Sequence, residues 1–451
     1  MKNKITKALI ILVIICVTIT AVELGSILIY PTITKKPFSR KDIQSKLVVK
    51  STVGDINNTD IPQYQKNHIL HPYLGFVANP KLYPLDWEFS RNNSNTVINE
   101  HGFLGEGPLV KKQENSVTIA ILGGSFAMNF YLDSKEMLEK ELNKLPQFNN
   151  KEIKLVSIAM SGYKQPQQLL ALNYFLSLGG EYDIVINLDG FNEVALPFSE
   201  MHTHTYPFFP RMWYLYSSKM LDVQCTRQFS HLIELNQKQQ KMKDKFSDSR
   251  MSCSNFVLVL WEILDTKLGS QINRQSEKLE TMMSDMLEKS KDRNYERSGP
   301  LSPTYTSRDD FFEQMAVYWA RCSVQMNFLA KANGFDYFHF LQPNQYLKNS
   351  KKLTKQEQEQ AYYDGDDYGY KAAVEFGYPF LLTHGEKLVE QNVNFTDLTM
   401  IYAQTTETVY EDMCCHVDKI GNNIIAKEIA ATIGDHYQQH IAPVVRSISA
   451  P

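Results

Sequence analysis

The sequence predicts an α/β protein built on a parallel sheet, with helices covering both faces. Three observations carry that prediction. Short, closely apolar runs at 117–122, 153–159 and 183–188 read as buried strands. Segments with helical spacing separate them, at 134–145 (Met137, Leu138, Leu142, Leu145) and at 165–178. The alternation returns late in the chain, with a helix over 309–332 and a strand over 335–341. Strands that alternate with helices pair in parallel through right-handed crossovers.

Taken in order, the first element is an apolar helix. Lys2, Lys4 and Lys7 precede an uncharged stretch from 8 to 22, and apolar residues resume from 24 to 30 after Glu23. At about 1.5 Å per residue, 8–30 spans roughly 35 Å, enough to cross a bilayer. The segment is expected to stay as a membrane anchor. Ile19-Thr20-Ala21 is a poor cleavage site, and apolar residues continue past it. The alternative is a cleaved signal and a secreted product. Glu23 is expected to snorkel or to pair. A Lys-rich start before one apolar span is the export pattern, so the bulk of the chain is expected outside the cytoplasm. Lys35, Lys36, Arg40 and Lys41 weaken that orientation, because they nearly balance the N-terminal lysines.

After the anchor (1–30) comes a polar lead-in, 31–114, with short strands or ordered loops at 71–77 and 99–105. The main domain is expected over 115–435, interrupted by a helical insertion at about 197–303 and followed by a tail, 436–451. Within the insertion, 256–264 is densely apolar but too short to span a membrane, so it reads as a core-facing helix of that insertion. The Lys-rich runs 238–245 and 288–297 read as solvated surfaces. Beyond the insertion, a short helix is expected around 355–363, a last strand at 397–402 and a closing helix at 418–433.

Composition excludes some functions. Charged residues are 22% and the formal net charge is −3, so no basic field points to nucleic acid. There are 6 cysteines, and Cys16 lies in the apolar helix. Cys225 and Cys253 are a plausible local bridge in an exported protein. The remaining odd number leaves at least one cysteine without an intrachain partner. Cys414-Cys415-His416 does not have the spacing of a haem attachment motif, and no paired Cys-x-x-Cys zinc pattern is present.

Four separated segments end strands or start loops on what should be one rim of the sheet: Gly123-Gly-Ser125, Ser161-Gly-Tyr163, Asp189-Gly-Phe-Asn-Glu193 and Glu411-Asp-Met-Cys-Cys-His416. Sites in open α/β sheets form at that carboxyl rim. Each segment alone has a simpler reading: a turn glycine at Gly162, a helix cap at Asn192, a surface histidine at His416. Together they supply what acyl transfer needs. A serine hydroxyl is a poor nucleophile until a base takes its proton. A histidine suits that role near neutral pH, and a carboxylate fixes its tautomer. The tetrahedral oxyanion then needs donors aimed at it.

The ordered set resembles the SGNH (GDSL-like) hydrolase superfamily, over about 99–433 except the insertion. The resemblance implies a three-layer α/β/α fold with a parallel, flavodoxin-like sheet. It implies Ser125 as nucleophile and His416 as general base. It also implies an oxyanion hole from the Ser125 and Gly162 N–H groups and the Asn192 amide, with neither metal nor cofactor. Gly124 stands where the family usually has Asp. The family's usual Asp-x-x-His places Met413 three before His416, so the orienting acid is expected to be Asp412, with Glu411 or a backbone carbonyl as alternatives. His202, His204, Gln342, Asn344 and Gln345 are expected to border the substrate opening, and Arg211 and Trp213 to form a stacking or anion-holding wall. The expected substrate is an acyl ester, by fold analogy a carbohydrate O-acyl ester of an envelope or extracellular glycan. The alternatives are an O-acyltransferase using the same residues and a catalytically silent binding or assembly protein.

Overall fold

The computed structural model describes residues 2–48, 68–80, 97–203, 205–213, 216, 223–246, 253–289, 299, 304–365 and 369–448. In chain order, α1 is Lys2–Thr34, α2 Arg40–Val48, β1 His68–His71, β2 Gly75–Ala78, β3 Ser116–Gly123 and α3 Ser125–Leu142. Then come β4 Glu152–Ser157, α4 Gln167–Ser177, β5 Ile184–Asp189, α5 Phe191–Ser199, α6 Val223–Phe246 and α7 Asn255–Lys289. The chain closes with α8 Arg308–Asn333, β6 Asp336–Leu341, α9 Lys355–Gln360, α10 Tyr370–Glu390, β7 Asn394–Asp397 and α11 Lys419–Ile448. Two compact units result: α1, α2, α6 and α7 form one, and the strands with the other helices form the second.

The first unit departs from the expected linear order. The insertion buries only part of its apolar surface within itself. Leu258, Val259 and Trp261 of α7 instead share a core with Tyr30 of α1 and Ile43 of α2. Helices α6 and α7 pack as a hairpin through Phe229, Leu232 and Leu279. Glu23 pairs: its carboxylate accepts from the Ser254 hydroxyl and, at 2.6 Å, from the Asn255 backbone N–H. A carboxylate at a helix N-terminus meets unsatisfied N–H groups and a favourable dipole. Arg40 donates to the Cys253 carbonyl at 2.7 Å beside it. The Cys225 side chain lies outside the described residues, and with it the expected bridge to Cys253. Within α1, Val13–Thr34 is long and apolar enough to be a membrane anchor or a signal sequence.

The second unit holds a five-stranded parallel sheet in the order β4-β3-β5-β6-β7. Strand β3 is buried along its whole length, as a central strand covered on both faces must be. Two groups of helices flank the sheet: α3 with α11, and α4, α5, α8 and α10 packed on one another. Strand order reverses between β3 and β5, which makes their carboxyl ends the topological switch point. A separate antiparallel pair, β1 and β2, precedes the sheet.

Two expectations on this unit need correction, and one helix was not anticipated. The last strand is Asn394–Asp397, and 398–404 is turn rather than strand, because Asp397 caps the Thr399 N–H at 2.8 Å and ends the extended run. The closing helix continues to Ile448 through the expected tail, with Ile429, Ile433 and the Tyr437 ring packed inside or against Phe148. Helix α10 was not legible, because Gly377, Pro379 and Gly385 interrupt it. There the glycines permit contact: a Cβ on Gly377 would meet Val194 at 2.8 Å, and one on Gly385 would meet Phe395 at 2.3 Å.

Candidate active site

Ser125 is the first residue of α3, half-buried at the carboxyl end of β3. Gly123 makes that turn possible. It sits at φ +146°, and a Cβ there would lie 2.2 Å from the Leu188 carbonyl oxygen. Gly124 is ordinary extended backbone, but a Cβ on it would lie 2.1 Å from Asn192 Nδ2 and 3.1 Å from the Tyr163 carbonyl oxygen. Asn192 donates to that same carbonyl at 2.7 Å. The three blocks around Ser125, Gly162 and Asn192 therefore meet at Gly124, across the switch point. Gly162 is buried at φ +78° in a turn closed by the Tyr163 N–H on the Met160 carbonyl at 3.0 Å. Its own N–H makes no hydrogen bond among the described residues. A Gly124→Ala variant is expected to push the Asn192 amide aside. On the acyl-transfer expectation, loss of that amide as an oxyanion donor would cost about 10²–10³ in kcat on an activated aryl ester, read beside the melting temperature of the folded variant.

His416 reaches this turn from the far end of the chain. Its Nε2 lies 2.8 Å from Ser125 Oγ, and its Nδ1 lies 2.5 Å from Asp412 Oδ2. The second carboxylate oxygen, Oδ1, accepts the N–H groups of Cys414, Cys415 and His416 at 3.0, 3.0 and 3.1 Å. One carboxylate thus folds the loop and orients the ring. Burial alone would push the Asp412 carboxyl up. The His416 charge and the hydrogen bonds from His416 and Cys415 outweigh it and bring the carboxyl down to about 2. Glu411 is engaged differently: its backbone N–H donates to the His416 carbonyl at 3.0 Å.

The loop is pinned from outside. Tyr410 and Val417 form an antiparallel bridge across it. The buried carboxylate of Glu357 accepts the Val409 and Tyr410 N–H groups at 2.9 and 3.0 Å and an ion pair from buried Lys351 at 2.8 Å. Asn422, just beyond, donates to Asp133 of α3 at 2.8 Å, which ties the histidine segment to the serine helix.

Gln342, Asn344 and Gln345 correct an expectation. All three are buried, not at a rim. Asn344 donates to the Cys414 carbonyl at 3.0 Å, and Gln345 to the Asp412 carbonyl at 2.9 Å. The Tyr346 hydroxyl donates to the Met413 carbonyl at 2.8 Å. A loop of consecutive backbone acceptors needs donors, and this segment supplies them. These residues position the Asp412–His416 loop. His204 and the His202 side chain lie outside the described residues. Arg211 is close enough to Cys414 and Tyr370 for its charge to act on both. Trp213 packs its ring against Phe209.

Behind Asn192 lies a second polar cluster that the sequence did not signal. Asp189 Oδ1 accepts from Trp319 Nε1 at 2.8 Å and lies 2.9 Å from His339 Nε2, while His339 Nδ1 lies 2.8 Å from Ser323 Oγ. Ser323, His339 and Asp189 are fully buried, so this serine–histidine–aspartate chain is closed to substrate. Buried Glu193 accepts the Gly190 N–H at 2.8 Å and Gln168 Nε2 at 3.0 Å. Burial and the nearby Asp189 charge raise its carboxyl well above the usual carboxylate range. The cluster fixes the turn that carries Asn192.

Among the described residues, Cys414, Cys415 and His416 form one group able to hold a metal ion, with ligand atoms all within 4.8 Å of one another. The sequence matches no protein-family model and no curated protein.

Proposed function

We propose that this chain is a serine hydrolase of the SGNH type, acting on ester bonds through an acyl-enzyme on Ser125. The observation that carries this reading is the continuous contact Ser125–His416–Asp412, made by residues 291 apart in sequence. His416 Nε2 takes the hydroxyl proton as Oγ attacks the ester carbonyl. The negative charge that develops on the carbonyl oxygen faces the N–H groups of Ser125 and Gly162 and the Asn192 amide. Asn192 has two amide hydrogens, and Tyr163 takes one, which leaves the other for the oxyanion. His416 then protonates the leaving alcohol, and water, activated by the same nitrogen, releases the acid.

The five-stranded parallel sheet in its doubly wound order, with the site at the switch point, supports the three-layer SGNH fold. Helix α1 serves as the anchor, with the catalytic unit outside the cytoplasm. There, O-acyl esters of an envelope or extracellular glycan are the substrate class. The direct test is a fluorophosphonate probe on the full chain in detergent. Wild type is expected to be labelled stoichiometrically and Ser125→Ala to remain unlabelled. Absence of label on the wild type would favour a silent binding protein.

A further inference from the structure

We propose that Cys414, Cys415 and His416 form a binding site for a thiophilic divalent cation of the zinc class, and that its occupation withdraws His416 from Ser125. The two sulfurs lie 3.3 Å apart on adjacent residues, and one ring nitrogen of His416 completes a group within 4.8 Å. Zinc bonds sulfur at about 2.3 Å and imidazole nitrogen at about 2.0–2.1 Å. Two sulfurs at the observed separation would subtend about 90° at such an ion, and a tetrahedral angle needs about 3.8 Å between them. Side-chain rotation has to open the sulfur pair by about half an ångström and to close the widest separation in the group, now within 4.8 Å, to about 3.6–3.8 Å, the spacing that a tetrahedral ion needs between its ligand atoms. Asp412 holds the three N–H groups of this segment, so the adjustment falls to the side chains.

The donor set selects the ion. Two thiolates and an imidazole favour zinc and its softer neighbours over magnesium or calcium. Binding replaces two thiol protons, which leave to solvent, and two thiolates balance the dipositive charge. Cys415 is buried and Cys414 half-buried, so entry is from the Cys414 side. Three protein ligands leave a fourth position for water, unlike a closed structural site.

The consequence for His416 follows from its occupancy. One ring nitrogen faces Ser125 Oγ and the other faces Asp412 Oδ2. A nitrogen given to the metal is lost to one of them, so the metal-bound and proton-transferring forms exclude each other. This consequence rests on the hydrolase reading; the site itself does not.

The test uses the full chain, reduced with a phosphine, and Cd²⁺ as a spectroscopic probe. Thiolate-to-cadmium charge-transfer absorption is expected to saturate at one ion per chain and to be reversed by Zn²⁺. Cys414→Ser/Cys415→Ser, checked for folding by circular dichroism, is expected to lose that absorption, and His416→Ala to weaken Cd²⁺ binding at least tenfold. Absorption that persists in the double cysteine variant would place the metal at other cysteines and overturn the site. In parallel, Zn²⁺ is expected to suppress ester hydrolysis in the wild type and not in the double variant. Equal suppression in both overturns the coupling to His416. A metal-free wild type without hydrolysis counts against the hydrolase reading alone, because the absorption still decides the site.

Discussion

Replacing His416 with Ala is expected to lower kcat on an activated aryl ester by about 10⁴–10⁶ while leaving the fold intact. Without the ring, Ser125 Oγ has no base within hydrogen-bond reach, and an unassisted hydroxyl is almost entirely protonated near neutral pH. The variant should remain folded, because the loop is held by backbone contacts to Asp412, Asn344 and Gln345, and should melt somewhat lower, because Asp412 loses the partner that helps hold its carboxyl down. Residual catalysis of about 10³–10⁴ over water should remain, supplied by the oxyanion donors and substrate binding. Added imidazole restoring part of the rate would mark the loss as chemical. A decrease of less than tenfold would remove His416 from the mechanism. The double change Ser125→Ala/His416→Ala should cost little more than either alone, since the two act as one unit.

The sheet was legible because its strands are short, apolar and separated by amphipathic helices. Strand β3 and helix α4 fall within a residue or two of where their patterns place them. Helix α10 was hidden by the residues that let it pack closely, Gly377 and Gly385 against Val194 and Phe395. The site segments were legible by type and order. What surrounds them was not, since it depends on contacts between distant parts of the chain. Asn344 and Gln345 read as polar loop residues near an opening, yet they are buried donors to carbonyls about 70 positions away. Glu357 reads as one of several charges on a short helix, yet it holds the base of the histidine loop. His339 and Trp319 converge on Asp189 through a sheet register that no local pattern encodes. The same limit applies to the first unit. Glu23 announces a need for a partner, but only the packing of α1 on α7 identifies it as the N-terminus at Asn255.

Asp412→Asn is expected to lower kcat by about 10⁴, with Glu411→Gln close to wild type. The reason is the tautomer. Oδ1 must go on accepting three backbone N–H groups, so the new amide nitrogen takes the place of Oδ2 and points a hydrogen at His416 Nδ1. Nδ1 then accepts, Nε2 carries the proton, and the ring can no longer take one from Ser125. The pH dependence checks the same contact by an independent route. A neighbouring carboxylate favours the protonated imidazole, so its removal lowers the proton affinity of His416. The acid limb of kcat/KM should therefore move to lower pH in Asp412→Asn. Stability should respond at lower pH still. The Asp412 carboxyl is depressed to about 2 in the fold, against about 3.9 when unfolded. Its contribution is complete above about pH 4 and disappears as pH falls through about 2. Wild type should lose stability relative to Asp412→Asn across that interval, in paired melts from pH 5 to pH 2. Equal, near-wild-type rates for Asp412→Asn and Glu411→Gln would mean that neither acid orients the ring. The backbone of the 410–417 loop would then have to hold His416 unaided.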